Sequence, residues 1–160
     1  KDFALFLDAC ARAQGDFQIV LLGEGPEREA LRAQAERLGL GARLVMPGFV
    51  ANPYAWFARA SAYLLTSHFE GMPNVLVQAL CLGCPVVTVD CPSGPAELAR
   101  LVPLGVSLET RGDPENLGAR LSAMLEKPRP DAAAFRANLA PFEKSAAIAR
   151  YRRLLLDDAL

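Results

Sequence analysis

The sequence is poor in the residues that many active sites are built from. It holds one histidine, His68, which excludes multi-histidine metal centres. Its net charge at pH 7 is -1, and no basic stripe stands out. A broad nucleic-acid surface is therefore not expected. No apolar run approaches the roughly 20 residues needed to cross a bilayer, and no stretch has the charged-then-apolar order of a secretory signal. Repeats, low-complexity tracts and long linkers are absent. Cysteines are few: Cys10, Cys81, Cys84 and Cys91. Cys81 and Cys84 have the spacing of a redox or metal pair. Thiolates, however, are activated at helix N-termini, and this pair falls at a helix end and a strand start. All four read as small buried thiols in a reducing, cytoplasmic setting.

What remains is a chain of 160 residues, 52% of them hydrophobic. That suits one folded domain with a sizeable core. The reading is of an α/β core over 1–127, followed by terminal helices over 128–160. Helical periodicity runs through 2–14 and ends by Gly15. FQIVLL at 17–22 is a strand. Gly23-Glu24-Gly25-Pro26 turns into a helix to about residue 40. RLVM at 43–46, AYLLT at 62–66, VVTV at 86–89 and GVSLE at 105–109 are further strands. Helices are expected from Pro53, Pro73, Pro95 and Pro114, and again over 131–139 and 143–158. At four junctions a Gly, Asn or Asp precedes a Pro at the first helical position: Gly25-Pro26, Asn52-Pro53, Gly94-Pro95 and Asp113-Pro114. Such alternation predicts right-handed crossovers and one Rossmann-like parallel sheet with helices on both faces. The chain opens on Lys1 and enters a helix at once, so the expectation is a domain whose first strand lies upstream.

Parallel sheets bind ligands beyond the carboxyl ends of their strands. The Gly/Pro-rich loops 23–26, 47–52, 66–73 and 91–95 gather there. The most informative stretch is SHFEGMPNVLVQALCLGCPVVTVD, residues 67–90. Glu70 stands ahead of a helix, Gly71 lets a ligand approach the backbone, and Gly83 suits a left-handed cap. The first N–H groups of a helix lack intrahelical partners and carry the positive end of the dipole. They suit a phosphate or diphosphate. Glu70, Asn74 and Gln78, spaced by four, form a polar stripe. If helical throughout, it is roughly 12 Å long, about the reach of a sugar nucleotide. A stripe that merely faces solvent is the alternative.

LLGEGPER, PGFV, the 67–90 run and DCPSGPAEL together resemble the carboxyl-terminal domain of family-four, "group 1" retaining glycosyltransferases. The resemblance covers most of the chain. It implies the donor-binding half of a GT-B fold, with a second domain carrying most acceptor contacts. It implies that Glu70 bonds donor-sugar hydroxyls and that Lys1 pairs with the diphosphate, which makes these the catalytic residues. Backbone N–H groups of Gly71, Met72, Asn74 and Val75 would cradle sugar and diphosphate, with Pro73 shaping the turn. Gly48, Phe49 and Val50 resemble the strip under the base, and Gly23 keeps a nearby loop tight. His68, Ser93 and Gly94 are further donor-side candidates. The family's second motif glutamate is Gln78 here, which keeps an acceptor for the ribose but loses the charged bond.

The function implied is retaining transfer of a hexose from a UDP- or GDP-sugar to an acceptor hydroxyl, in glycan, lipopolysaccharide or exopolysaccharide synthesis. The acceptor would be a glycan or lipid-linked saccharide. No metal or other cofactor is implied. A nucleotide-binding module without turnover and a sugar-nucleotide epimerase of the same architecture are the alternatives. Lys144, Arg150, Arg152 and Arg153 on the last helix raise peripheral contact with the inner face of a membrane. Asp157 and Asp158 follow directly and favour a solvated face.

Overall fold

The structure, a computed structural model, describes residues 1–156. Helix α1 (Phe3–Arg12) starts at Asp2, whose carboxylate accepts the Leu5 N–H at 3.1 Å. Strand β1 (Ile19–Leu22) pairs in parallel with β2 (Leu44–Gly48), and α2 (Arg28–Arg37) makes the crossover. A short helix α3 (Tyr54–Phe57) leads to β3 (Tyr63–Leu65). Then come α4 (Asn74–Cys81), β4 (Val86–Val89), α5 (Pro95–Leu101), β5 (Val106–Glu109) and α6 (Pro114–Leu125). The chain closes with α7 (Ala133–Leu139) and α8 (Lys144–Leu156).

The strands are parallel as expected, but they form two sheets rather than one. β1 pairs only with β2, while β3, β4 and β5 form a separate sheet in that order. β1 and β3 each keep one edge unpaired, because no described strand lies between them. What joins the two sheets is apolar packing. Ile19 and Leu21 of β1 share a buried cluster with Leu64 of β3 and Val87 and Val89 of β4. Leu7, Ala9, Leu117 and Leu121 of α1 and α6 cover that face. The other face takes the alternate residues, Leu65 and Val86, against Leu76 and Leu80 of α4, Leu98 of α5 and Phe135 of α7. All four residues of β4 are therefore buried, the mark of a central parallel strand. At about 1.5–3 kcal/mol per buried aliphatic side chain, these two layers dominate the fold.

Helix α4 stops as its sequence predicts. Gly83 has φ +75°, its N–H donates to Leu80 O at 2.9 Å, and the Cys84 N–H reaches Ala79 O at 2.9 Å. This is the paired Schellman arrangement. Arg129 then binds the carbonyls left over around that end, those of Gly83, Leu82, Ala58 and Phe57. A guanidinium suits the negative end of a helix.

Helix starts hold at two of the four expected junctions. Asp113 caps α6 by accepting the Asn116 N–H at 2.9 Å, and Pro114 is its first residue. Pro95 is likewise the first residue of α5, after Gly94, which gives no side-chain cap. Pro53 is instead the cap of α3, and α2 begins at Arg28, two residues after Pro26. Pro73 likewise caps α4 with ψ 88° rather than opening it. Residues 70–73 are therefore loop, and the 12 Å stripe based on helical rise does not apply; only Asn74 and Gln78 lie one turn apart. Three thiols are buried as expected, but Cys81 is exposed; all four are free.

Helix α8 carries the four expected basic residues and also exposes Ile148, Tyr151, Leu154, Leu155 and Leu156. The helix is exposed, as a solvated face would be, but that face also carries large apolar side chains. Asp157 and Asp158 lie outside the described residues. No described helix is long and apolar enough to cross a membrane.

Candidate functional site

The carboxyl end of β3 carries a connected polar group. Leu65 ends β3, and the next two residues turn their hydroxyls to different partners. Thr66 Oγ1 donates to the backbone carbonyls of Asp2, at 2.8 Å, and Lys1, at 3.1 Å. Ser67 Oγ donates to Glu70 Oε1 at 2.6 Å. Lys1 Nζ makes an ion pair with the same oxygen. Thus Lys1 and Glu70, 69 positions apart in sequence, meet at the end of one strand.

Glu70 is mostly enclosed, with 14% of its side chain exposed. Burial pushes its pKa up. The hydrogen bonds from Lys1 and Ser67, and the Lys1 charge, outweigh this and hold the carboxyl below its usual range. Glu70 is therefore a carboxylate at neutral pH and an acceptor only. The Cys91 thiol nearby is pushed up, first by burial and then by the Glu70 charge, so it stays protonated. Beyond Glu70 the chain passes Gly71, Met72 and the buried Pro73 into α4. Asn74 and Val75 are its first residues, and their N–H groups precede the first possible intrahelical acceptors. Asn74 is exposed and Gln78 is half-buried on the next turn.

The loop after β4 packs hard against this entry. A Cβ on Gly94 would lie 2.0 Å from Gly71 O and 2.3 Å from Pro73 Cδ, so only glycine fits. Next to it Ser93 holds φ +74°, a conformation that costs about 1–2 kcal/mol for a residue with a Cβ. Gly94 is thus a spacer that lets two backbones touch.

His68 turns its ring to Asp2, with Nε2 3.0 Å from Oδ2, and its carbonyl accepts from Arg111 Nη1 at 3.3 Å. Asp2, Thr66, Ser67 and Arg111 were not singled out from the sequence. The hydroxyls of Thr66 and Ser67 had a readable signal, two polar residues closing an apolar strand ahead of an acid. Asp2 and Arg111 had none. At the other sheet, Gly23 N–H donates to Gly48 O at 2.8 Å and ties the ends of β1 and β2. Phe49 follows, 85% exposed, with Val50 half-buried. No hydrogen bond or ion pair among the described residues links this group, or Gln78, to the Lys1–Glu70 pair. Nor do the described residues hold a cluster of three or more metal-binding side chains.

An acid that accepts from two donors, next to an open helix start at a parallel-sheet edge, can bind a hydroxylated and negatively charged ligand. Comparison with known proteins bears on the family of the chain. The chain is 37% identical over 127 residues to N-acetylgalactosamine-N,N'-diacetylbacillosaminyl-diphospho-undecaprenol 4-alpha-N-acetylgalactosaminyltransferase of Campylobacter jejuni, covering 79% of this chain and 34% of that protein. Its fold matches the apo lipopolysaccharide outer core galactosyltransferase WaaB, with TM-score 0.84 and 23% identity over 97% of this chain and 44% of that one. It also matches Anabaena HepE solved with UDP, with TM-score 0.72 and 28% identity over 95% of this chain and 41% of that one. The chain spans about a third of the length of the Campylobacter relative. The family model described as glycosyl transferases group 1 matches residues 1–140, and the chain belongs to that family.

Proposed function

We propose that this chain is the donor-binding part of a glycosyltransferase, holding a nucleoside-diphosphate sugar for transfer of a hexose to an acceptor hydroxyl with retention at the anomeric carbon. The observation that carries the reading is the Lys1–Glu70–Ser67 group at the entry to α4. Glu70 accepts hydrogen bonds from sugar hydroxyls through the carboxylate that Ser67 holds. Its charge also favours the positive charge that develops at the anomeric region in the transition state. The N–H groups of Gly71, Met72, Asn74 and Val75 take the diphosphate, and Lys1 adds a point charge as the leaving group gains negative charge. For this, Lys1 leaves its resting partner and turns to the phosphates. Phe49, with Gly48 and Val50, supplies an apolar rest for the base, and Gln78 accepts from a ribose hydroxyl.

The reading calls for no metal, because a lysine and a helix start carry the positive charge that a divalent ion would otherwise supply. UDP is the first nucleotide to test, since HepE at 28% identity was solved with it. The Campylobacter relative's name specifies an N-acetylgalactosaminyl donor group and an undecaprenol-linked acceptor. UDP-N-acetylgalactosamine, and a lipid-linked saccharide reached from the cytoplasmic side of a membrane, are accordingly the substrates we propose. The test is transfer by the intact protein from a panel of UDP- and GDP-sugars, with Glu70→Ala alongside. We expect product from the wild type with the anomeric configuration of the donor, and none detectable from the variant. Inverted product, or full turnover in the variant, would end the reading.

A further inference from the structure

Lys1 and Glu70 have to sit at a set distance to grip two ends of one ligand, yet neither is carried by a strand or helix. Lys1 precedes α1, and Glu70 lies in a loop. Their mutual ion pair does not fix them. Lys1 is about half exposed, and such pairs contribute only about 0–1 kcal/mol. What fixes them is the end of β3. Successive residues of an extended chain point to opposite sides. Thr66 accordingly reaches the carbonyls of Lys1 and Asp2, while Ser67 reaches the Glu70 carboxylate.

We propose that Thr66 and Ser67 are positioning residues: one hydroxyl anchors the segment bearing Lys1 for the diphosphate, and the other fixes the Glu70 carboxylate for the sugar. The inference rests on the proposed function. Both residues are almost wholly enclosed, Thr66 at 2% and Ser67 at 1% exposure. A buried hydroxyl needs a partner, so these bonds are not incidental. Ser67 and Lys1 both address Oε1, and Oε2 has no hydrogen-bond partner among the described residues. The carboxylate is thus held by one oxygen and offers the other to a ligand hydroxyl. A lowered pKa at Glu70, to which the Lys1 and Ser67 bonds contribute, fits the same geometry.

The two hydroxyls act on different parts of the ligand, and their removal separates those parts. Calorimetry with UDP and with UDP-N-acetylgalactosamine on the intact protein reads both. Ser67→Ala keeps UDP affinity within about twofold and loses about tenfold to a hundredfold in the extra affinity for the sugar nucleotide, the range for a bond to a charged group. Thr66→Val weakens UDP and the sugar nucleotide together, by about two- to tenfold, as for a neutral bond. In a Glu70→Ala background, Ser67→Ala has no further effect on the sugar increment, because the group it positions is gone.

The result against the inference is equal loss of both ligands in Ser67→Ala, or an undiminished Ser67→Ala effect in the Glu70→Ala background. Either would make the hydroxyl a general structural bond. Failure of the underlying reading looks different. A wild type that binds none of a panel of UDP- and GDP-sugars, or a Glu70→Ala protein that keeps its sugar increment, removes Glu70's role whatever Ser67 does.

Discussion

Gly94 offers the most direct test of how the site is built, because its contact is steric and its consequence is chemical. An alanine there would put a methyl 2.0 Å from Gly71 O and 2.3 Å from Pro73 Cδ. Ordinary contact begins at 3.4 Å, so the two backbones have to part by more than an ångström. The atom in the way is a carbonyl oxygen, which has no rotamer to change. Its chain neighbours are Glu70 on one side and the start of α4 on the other, and both shift with it. Overpacking of this kind costs about 1–3 kcal/mol of stability. The larger effect is on function, since an ångström of misplacement at a reacting group costs on the order of a hundredfold. Two glycines serve as controls. A Cβ on Gly25 meets nothing within 4 Å, so Gly25→Ala is expected to be neutral. A Cβ on Gly118 would strike Ala9 O at 2.9 Å and Arg12 Cβ at 2.7 Å, at the α1–α6 contact. Gly118→Ala is expected to lower the melting temperature and spare UDP affinity in the folded protein. Thermal melts and calorimetry on the three variants give the answer. If Gly94→Ala melts and binds UDP as the wild type does, the close approach of the two loops does not set the site.

Acidity gives a second test. The Glu70 carboxyl is held below its ordinary range, so its charged form persists as pH falls and is lost only on passing the lowered value. The sugar increment in binding, and the stability this group contributes, should therefore be lost at a lower pH than an ordinary glutamate would lose them; Lys1→Ala should move the loss to higher pH, read by calorimetry across about pH 3–7. Gln78→Glu restores a charged acceptor at that position and should tighten UDP binding several-fold, to about twice the single-bond contribution; unchanged affinity would place the ribose elsewhere. Gly83→Ala forces a Cβ into φ +75° and within 3.0 Å of Ala132 N, and should cost at least about 1–2 kcal/mol in denaturant melts with UDP affinity retained.

The element sequence was legible because it is written in local terms. Apolar runs of strand length, Gly and Pro at junctions and 3.6-residue periodicity located every major strand and helix among the described residues. The errors are of two kinds. Pro26, Pro53 and Pro73 lie before their helices rather than at the first turn, since proline's fixed φ is equally at home in a cap or a preceding turn. Two sheets were found where one was expected, because pairing depends on which strand lies beside which, and no single segment encodes its neighbour.

For the site, the sequence by itself supplied the parts: an acid ahead of a helix start, a glycine at the turn, a lone lysine at the chain's beginning. Motif resemblance assigned them roles. Only the tertiary structure decided that Lys1 and Ser67 donate to one oxygen of Glu70, that His68 turns to Asp2, and that Gly94 abuts Gly71. Local sequence fixes φ, ψ and the side of an element on which a side chain stands. Contacts across 69 positions arise only when the buried layers on both faces of β4 bring strand ends to a common edge.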